Sequence, residues 1–580
     1  MLTVPSLLTF GASLSSPRPV TRTTNTTSAL PAIKTLTRDT VSFRGNSESN
    51  RPISGRLLIL ANRESHTLKH KPDSDDQVEL SRSMGGLVTA LMPLLQEGDF
   101  WISSRDKSRK DVPASKIREV VQERYPHLLD KVPAYNTVDI ELSKEQINGH
   151  YNKISNGQLW PFAHDRIDTT ERYRDSDWEK YREVNRAFAE KTLEHARDED
   201  FIWVHDYQLM LAPGMIRERS PHKKIAYFHH IPFTDMNKHF PQKTELLRGL
   251  LGADLIGFHV PSYVENFLQA VEHNIPEAKI YTSKQVPGAT IEYQGRFIRV
   301  QDFPISIDAQ GLANRIEHSK SIQDYRQKWE TFKRTHGIEY LGAGVERLDY
   351  SKGIPQRLEA IDTFLTKHPE YKKRFSFVQV TAPSRPEIPA YQALARDIRQ
   401  QIERINEKHG TLGWKPIIQV AGMPNDEVMG LFQASDFSIV NSQADGMNLV
   451  AKEYVVAQGT KQARGGILIA SPFMGVTEQW RNQTRAWEKR ATLNQLPAPQ
   501  DFWIPPLDID ATAEAIHRAL RLSPAQRQKV MEPVRQHTFE HNVTRWSRDF
   551  LRAFQEAARH PHEGTPNGSS HAPHLLNSAG

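Results

Sequence analysis

The stretch Phe437-Ser438-Ile439-Val440-Asn441-Ser442-Gln443-Ala444-Asp445-Gly446-Met447-Asn448-Leu449-Val450-Ala451-Lys452-Glu453 decides the fold. Phe437 to Val440 has strand composition, Asp445-Gly446 is a turn, and the residues beyond it open a helix. A strand that turns on a glycine into a helix offers free backbone amides and the positive end of the helix dipole to an anion. The pattern is that of a phosphate-binding turn in a parallel α/β sheet. On these residues alone, an ordinary loop fits equally well, with Asp445 capping the helix and Glu453 on a solvated face.

Working outward, short apolar runs alternate with amphipathic stretches throughout the chain, which predicts an α/β fold with parallel sheets covered by helices. One series holds the runs Arg56 to Ala61, Phe201 to Val204, Ile225 to Phe228 and Leu255 to Phe258. A second holds Tyr340 to Val345, Phe375 to Val380, Pro416 to Val420, Phe437 to Val440 and Gly466 to Ala470. Two such series joined near Pro304 to Arg315 imply two Rossmann-like domains facing a cleft, over residues 55–308 and 309–558, with the final helices counted in the second. At 580 residues the chain is long enough for two cores.

The function classes narrow with composition. Against 75 basic residues stand 69 acidic ones, an interspersed excess that does not mark a nucleic-acid binder. Cysteine is absent, which excludes disulfides, thiolate metal sites and a cysteine nucleophile. No run is apolar for the eighteen or so residues a bilayer span needs, so no membrane partner is expected. Residues 1–38 contain fourteen Ser or Thr, four Arg or Lys and no acid. Residues 1–54 are therefore expected to be a disordered leader and 559–580 a loose tail. The apolar patch from Leu2 to Leu14 lacks a preceding charge, so an organellar transit peptide or a bacterial type III secretion leader fits better than a secretory signal.

A second informative segment is Gly344-Val345-Glu346-Arg347-Leu348-Asp349-Tyr350-Ser351-Lys352-Gly353, which follows a strand run. Arg347 and Lys352 can converge across the turn on a diphosphate and neutralise the charge it gains on leaving. Taken singly, each is as well explained as a surface ion-pair partner. No Walker pattern and no H-E-x-x-H occur. His229 and His230 are adjacent at a strand end, so their side chains face opposite ways and no metal is expected there. His205 beside Asp206 reads either as a dyad or, more commonly, as a histidine packed at a strand terminus.

Glu346 to Gly353 and Asp445 to Glu453 resemble the two donor-site signatures of the trehalose-6-phosphate synthase family. The resemblance extends to Ala61-Asn62-Arg63, Gly85-Gly86-Leu87, Tyr151 with Leu159-Trp160-Pro161, Trp203-Val204-His205-Asp206-Tyr207, His230-Ile231-Pro232-Phe233 and Ala382-Pro383-Ser384-Arg385, in the family's order over about residues 55 to 555. It implies a GT-B fold and a metal-free, cofactor-free transfer of glucose, with retention, from a nucleotide sugar such as UDP-glucose to glucose 6-phosphate. By the same resemblance Arg347 and Lys352 contact the donor diphosphate, and the amides of Leu449 and Val450 its distal phosphate. Glu453 takes the ribose, Gly85 and Gly86 approach from the opposite lobe, and Asp445 and His230 hold the donor glucose near Asn448. Arg63, Tyr151, Asp206 and Arg385 bind the acceptor, and Trp160 shapes its pocket. Front-face attack, with the leaving phosphate taking the acceptor proton, explains retention; Asp206 as general base is the competing mechanism.

Several positions depart from the family pattern. Ser104 stands where a second tryptophan usually follows Trp101, Ala444 where an arginine usually precedes Asp445, and Ser306 where a glycine is usual. His229-His230 and Pro261 to Phe267 also look like the glucosylglycerol-phosphate synthases, which use glycerol 3-phosphate. Gly85-Gly86 and Arg385 favour the hexose phosphate. A sugar-phosphate sensor without turnover is a third reading, opposed by intact Arg347, Lys352, Asp445 and Glu453. No D-x-D-x-T phosphatase start is visible, so releasing trehalose is expected to need another enzyme. The leader resembles those of secreted trehalose-phosphate synthase effectors of plant pathogens, making type III export the leading expectation beside a bacterial cytoplasmic or organellar location. A homo-oligomer is compatible with the sequence, which does not set the oligomeric state.

Overall fold

A computed structural model of the chain describes residues 51–559, apart from 72–73, 83–85, 235–239, 283–286 and 482. Most of the expected leader, most of the tail and Gly85 lie outside the described residues. The first sheet runs in the order Asn136–Leu142, Phe100–Asp106, Leu57–Ala61, Phe201–His205, Lys224–Phe228, Leu255–Phe258, Arg296–Asp302, Ala289–Tyr293, Lys279–Thr282. Its first seven strands are parallel and the last two close the edge as an antiparallel meander. The central strands carry almost only apolar side chains because helices cover both faces, which is why they stand out in the sequence. Asn136–Leu142 lies at the edge, alternates polar with apolar residues, and does not stand out.

The second sheet has the order Ile417–Val420, Phe375–Ala382, Tyr340–Arg347, Phe437–Val440, Ile467–Ala470, all parallel. The strand Tyr340–Arg347 is two residues longer than its apolar run, which sets Arg347 at the carboxyl end, where open parallel sheets bind ligands. Among the described residues no helix is long and apolar enough to cross a membrane.

Two expected boundaries change. The chain leaves the first sheet after Asp302, but the last helix, Val543–Arg559, returns to it. Phe550 stacks on Trp203 with centroids 4.2 Å apart, and Trp546 and Phe554 meet Phe228 and Phe201. Trp546, Phe550 and Phe554 recur every four residues and form one apolar stripe, which the uncovered strands accept. The leader also ends earlier than residue 54, because Arg51 pairs with buried Asp99 at 2.5 Å and Ile53 is 4% exposed. Deleting residues 1–50 is therefore expected to leave kcat/KM and the melting temperature unchanged, whereas deletion through 54 lowers the latter. A folding defect in the shorter truncation, seen by calorimetry, would refute this.

Candidate active site

The turn after Phe437–Val440 takes a different form from the simple capped loop. The helix begins at Leu449, and its cap is Asn448, held at φ 70° with its side chain accepting from the Ala451 amide at 3.0 Å. Leu449 and Val450, as the first two helical residues, have no carbonyl four positions back to receive their amides. Asp445 instead pairs with Lys352 at 2.5 Å and accepts from Asn448 at 2.8 Å and from Ser442 at 3.2 Å, all through Oδ2. Burial works against the Asp445 carboxylate, yet Lys352 holds it below the usual range.

Glycine stands at 446 for a reason that the ligand-approach argument missed. A Cβ there would lie 2.1 Å from the carbonyl oxygen of His230, so Gly446 lets the turn press against the first lobe's backbone. Nearby, Tyr263 donates to the Asp445 carbonyl at 3.0 Å, and Glu478 accepts from the Ser262 amide and hydroxyl at 3.0 and 2.6 Å. The stretch Pro261 to Phe267 thus forms a contact between the lobes. Gly86 faces the same turn, since a Cβ on it would meet Leu449 Cδ1 at 2.4 Å.

Asp349, which the sequence reading left without a role, is the hub of the other half of the site. Fully buried, it accepts from Arg385 at 3.1 Å, Tyr391 at 3.0 Å, Trp160 Nε1 at 3.3 Å and Ser351. Burial opposes its charge, but Arg385, followed by Arg347, takes the carboxyl down to about 2. The Arg385 guanidinium lies 4.1 Å from the Trp160 ring centroid and donates to Tyr207 at 3.4 Å and to Tyr391. The exposed Arg347 stands 5.7 Å over the same ring and makes no ion pair among the described residues. Tyr151 lies on the π-type helix Ile147–Leu159 that leads to Trp160. Burial raises its phenol, but Arg385 and then Arg63 outweigh that and leave it below the ordinary tyrosine range. Arg63, Tyr151, Trp160 and Arg385, distant in sequence, are therefore brought near one another.

On the first lobe, Asp206 has φ 73° and ψ 167°, a region almost reserved for glycine. The bonds that hold it there run from its amide to the Phe228 carbonyl (2.8 Å) and from the His230 amide to its Oδ1 (3.1 Å). Burial pushes its carboxyl up to about 6, against the Tyr207 and His230 amides and the charges of Arg385 and Arg63. His205 forms no dyad with it: Nδ1 of His205 lies 3.0 Å from Nε2 of His230, and burial takes the His205 ring down to about 3. His230 is likewise held well below the ordinary range by burial and by His205. His229 packs against Tyr227 and Phe233, while His230 meets His205, and both feel His259.

Further along the helix, burial raises the Glu453 carboxyl to about 7, with Arg315 opposing. Beside Arg63 and Tyr151 opens a cavity of about 640 Å³, lined also by Ser104, Lys69 and Arg109. Ser104 donates to the Asn62 carbonyl at 2.7 Å and leaves this side of the pocket open.

Two parallel α/β lobes that face one another across cationic and carboxylate side chains define a glycosyltransferase of the GT-B class. Residues 55–556 match the Glycosyltransferase family 20 model, and the chain belongs to that family. It is 34% identical over 506 residues to the 56 kDa subunit of a UDP-forming alpha,alpha-trehalose-phosphate synthase from Kluyveromyces lactis, covering 86% of this chain and 95% of that protein. A trehalose-6-phosphate synthase from Mycolicibacterium smegmatis is 33% identical, with 89% and 96% covered. Among solved structures, an E. coli one bound with UDP-2-fluoro glucose superposes with a TM-score of 0.69 at 26% identity, over 87% of this chain and 99% of that one. The Burkholderia xenovorans UDP-forming synthase in complex with glucose-6-phosphate gives 0.68 at 27%, over 86% and 100%.

Proposed function

We propose that this chain is a retaining glucosyltransferase that moves glucose from UDP-glucose to glucose 6-phosphate and forms α,α-trehalose 6-phosphate. The observation that carries this reading is the meeting of two anion sites at one cleft. The open helix start at Leu449 and Val450, with Lys352 and Arg347, suits a nucleotide diphosphate; Arg63, Tyr151 and Arg385 around Trp160 suit a sugar phosphate. The relatives named for this reaction support both substrates.

In this reading Gly85 and Gly86 admit the diphosphate from the first lobe, while Glu453 accepts from the ribose hydroxyls. Asp445 and His230 orient the donor glucose: Lys352 occupies Asp445 Oδ2, which leaves Oδ1 for a sugar hydroxyl. The acceptor hydroxyl attacks the anomeric carbon on the face the diphosphate leaves. The bond from carbon to phosphate oxygen breaks as the new glycosidic bond forms, and the acceptor proton passes to the departing oxygen. Lys352 and Arg347 stabilise the charge that develops. Asp206, with Oδ1 engaged by the His230 amide, positions the acceptor and is not needed as a base.

Competition between glucose 6-phosphate and glycerol 3-phosphate, read by product mass, tests the proposal. Trehalose 6-phosphate is the expected product; a glucosylglycerol phosphate would assign the chain to the sister activity, for which the open Ser104 side is the supporting feature, and no product would make it a sensor. Filling that side with Ser104→Trp is expected to raise glucose 6-phosphate selectivity about tenfold. Turnover is expected to survive a strong chelator, because arginine and lysine supply the charge on phosphate. Loss in EDTA that magnesium or manganese restores would overturn that mechanism. Type III export rests on the composition of residues 1–38, and a reporter fused to residues 1–50 that stays inside a secretion-competent bacterium would remove it.

A further inference from the structure

The segment after Trp160 carries an arginine from the first lobe to the two loops that hold Lys352 and Asp445 in the second. His164 stacks on the Trp160 ring with centroids 4.1 Å apart, and its Nδ1 lies 2.8 Å from the Trp160 carbonyl oxygen. Asp165 then turns at φ 53°, a left-handed conformation that aspartate tolerates. The Arg166 amide closes the turn by donating to the Pro161 carbonyl at 2.8 Å. Arg166 is thereby fixed to the segment that bears Trp160.

Its guanidinium is used in full. Nε and Nη2 each donate to one oxygen of Asp168 at 2.9 Å. Asp168 is 65% exposed, so this pair adds little stability and serves to orient the guanidinium plane. The remaining nitrogen, Nη1, donates to the Tyr350 carbonyl at 3.1 Å and to Gln443 Oε1 at 3.2 Å. Tyr350 stands two residues before Lys352, and Gln443 two before Asp445. The same loops are joined to each other by the Gln443 amide, which donates to the Ser351 carbonyl at 2.7 Å, and by the Lys352–Asp445 pair. One nitrogen from the first lobe therefore bridges both.

We propose that Arg166 is a positioning residue that clamps these two loops to the Trp160 segment, so that a sugar phosphate at Trp160 and a nucleotide diphosphate at Lys352 bind cooperatively. The inference rests on the donor and acceptor reading given above and adds the link between the two sites. A sugar phosphate that orders the Trp160 segment also fixes the Arg166 plane, and with it the loops that receive the donor. By linkage the donor tightens the acceptor by the same factor. Lysine cannot take this place, because a point charge does not hold both oxygens of Asp168 while aiming a second edge at Tyr350 and Gln443.

Calorimetric titration of the full-length protein with UDP, without and with saturating glucose 6-phosphate, measures the link. UDP has no glucose to transfer, so turnover does not intrude. In the wild type glucose 6-phosphate is expected to tighten UDP by about fivefold or more, and in Arg166→Ala and Arg166→Lys by less than about twofold. Gln443→Ala, which removes one of the two acceptors of Nη1, should give an intermediate factor. A merely structural arginine would lower the melting temperature of Arg166→Ala and leave the factor at its wild-type value, which would overturn the proposal. Independent binding of the two ligands to the wild type would do the same. Should either ligand fail to bind the wild type at all, the donor and acceptor reading falls, and hydrogen exchange of the ligand-free protein decides on the clamp. The Gln443 amide should then exchange about tenfold faster or more in Arg166→Ala, and equal rates would overturn the proposal.

Discussion

Lys352→Ala is expected to lower kcat by about a hundredfold or more, because in the proposed mechanism the ammonium stabilises charge that exists only as the diphosphate departs. The structure adds a second consequence. Lys352 is the charged partner of buried Asp445, and alanine would leave that carboxylate with only Asn448 and Ser442. The variant should therefore also melt lower, since a buried charge stripped of its partner costs about 3–5 kcal/mol. Arg347→Ala separates the two effects. Arg347 is exposed and makes no ion pair among the described residues, so its removal should cut kcat on a similar scale while the melting temperature falls less than in Lys352→Ala, by the share Arg347 has in holding Asp349 charged. If either variant changes KM alone, its side chain binds ground state and transition state alike, and the leaving-group role is wrong.

What could be read in advance follows from where each residue sits. Strands buried on both faces, such as Leu57–Ala61 and Phe437–Val440, appear as apolar runs because nothing else survives there. The edge strand Asn136–Leu142 and the antiparallel meander from Lys279 to Asp302 carry polar residues, and their pattern merges with that of loops. The return of Val543–Arg559 to the first sheet was hidden because an amphipathic stripe says that it is covered but not by what. At the site, the lysine, the carboxylates and the turn glycines were legible as residue types at strand ends. The pairing of Lys352 with Asp445, and the use of Gly446 to meet His230, depend on how the lobes approach and leave no local trace. Asp349 went unassigned because nothing in the order of residues shows that Trp160, Arg385 and Tyr391 all turn toward it.

That hub makes Arg385 the sharpest test of acceptor choice. Arg385→Ala is expected to reduce kcat/KM for glucose 6-phosphate by about 2–4 kcal/mol, or roughly thirtyfold to a thousandfold, as the proposed charge-assisted contact to the acceptor phosphate is lost. Glycerol 3-phosphate should not gain in proportion. Because the guanidinium also holds Asp349, a structural contribution has to be read separately, and acid stability does so. Asp349 is depressed to about 2, chiefly by Arg385 against burial. A depressed carboxylate contributes stability above its unfolded value near 4, and that contribution disappears as pH falls from about 4 toward 2. Without Arg385 the carboxyl titrates higher, so the variant should unfold at a less acidic pH than the wild type. Arg385→Lys keeps a charge beside Asp349 but cannot present a fork to phosphate. It is expected to recover most of the acid stability while kcat/KM for glucose 6-phosphate remains at least tenfold low. If lysine restores both together, Arg385 acts on catalysis only through Asp349. If alanine spares kcat/KM and the wild type prefers glycerol 3-phosphate, the open side at Ser104 defines the acceptor and the hexose-phosphate reading fails.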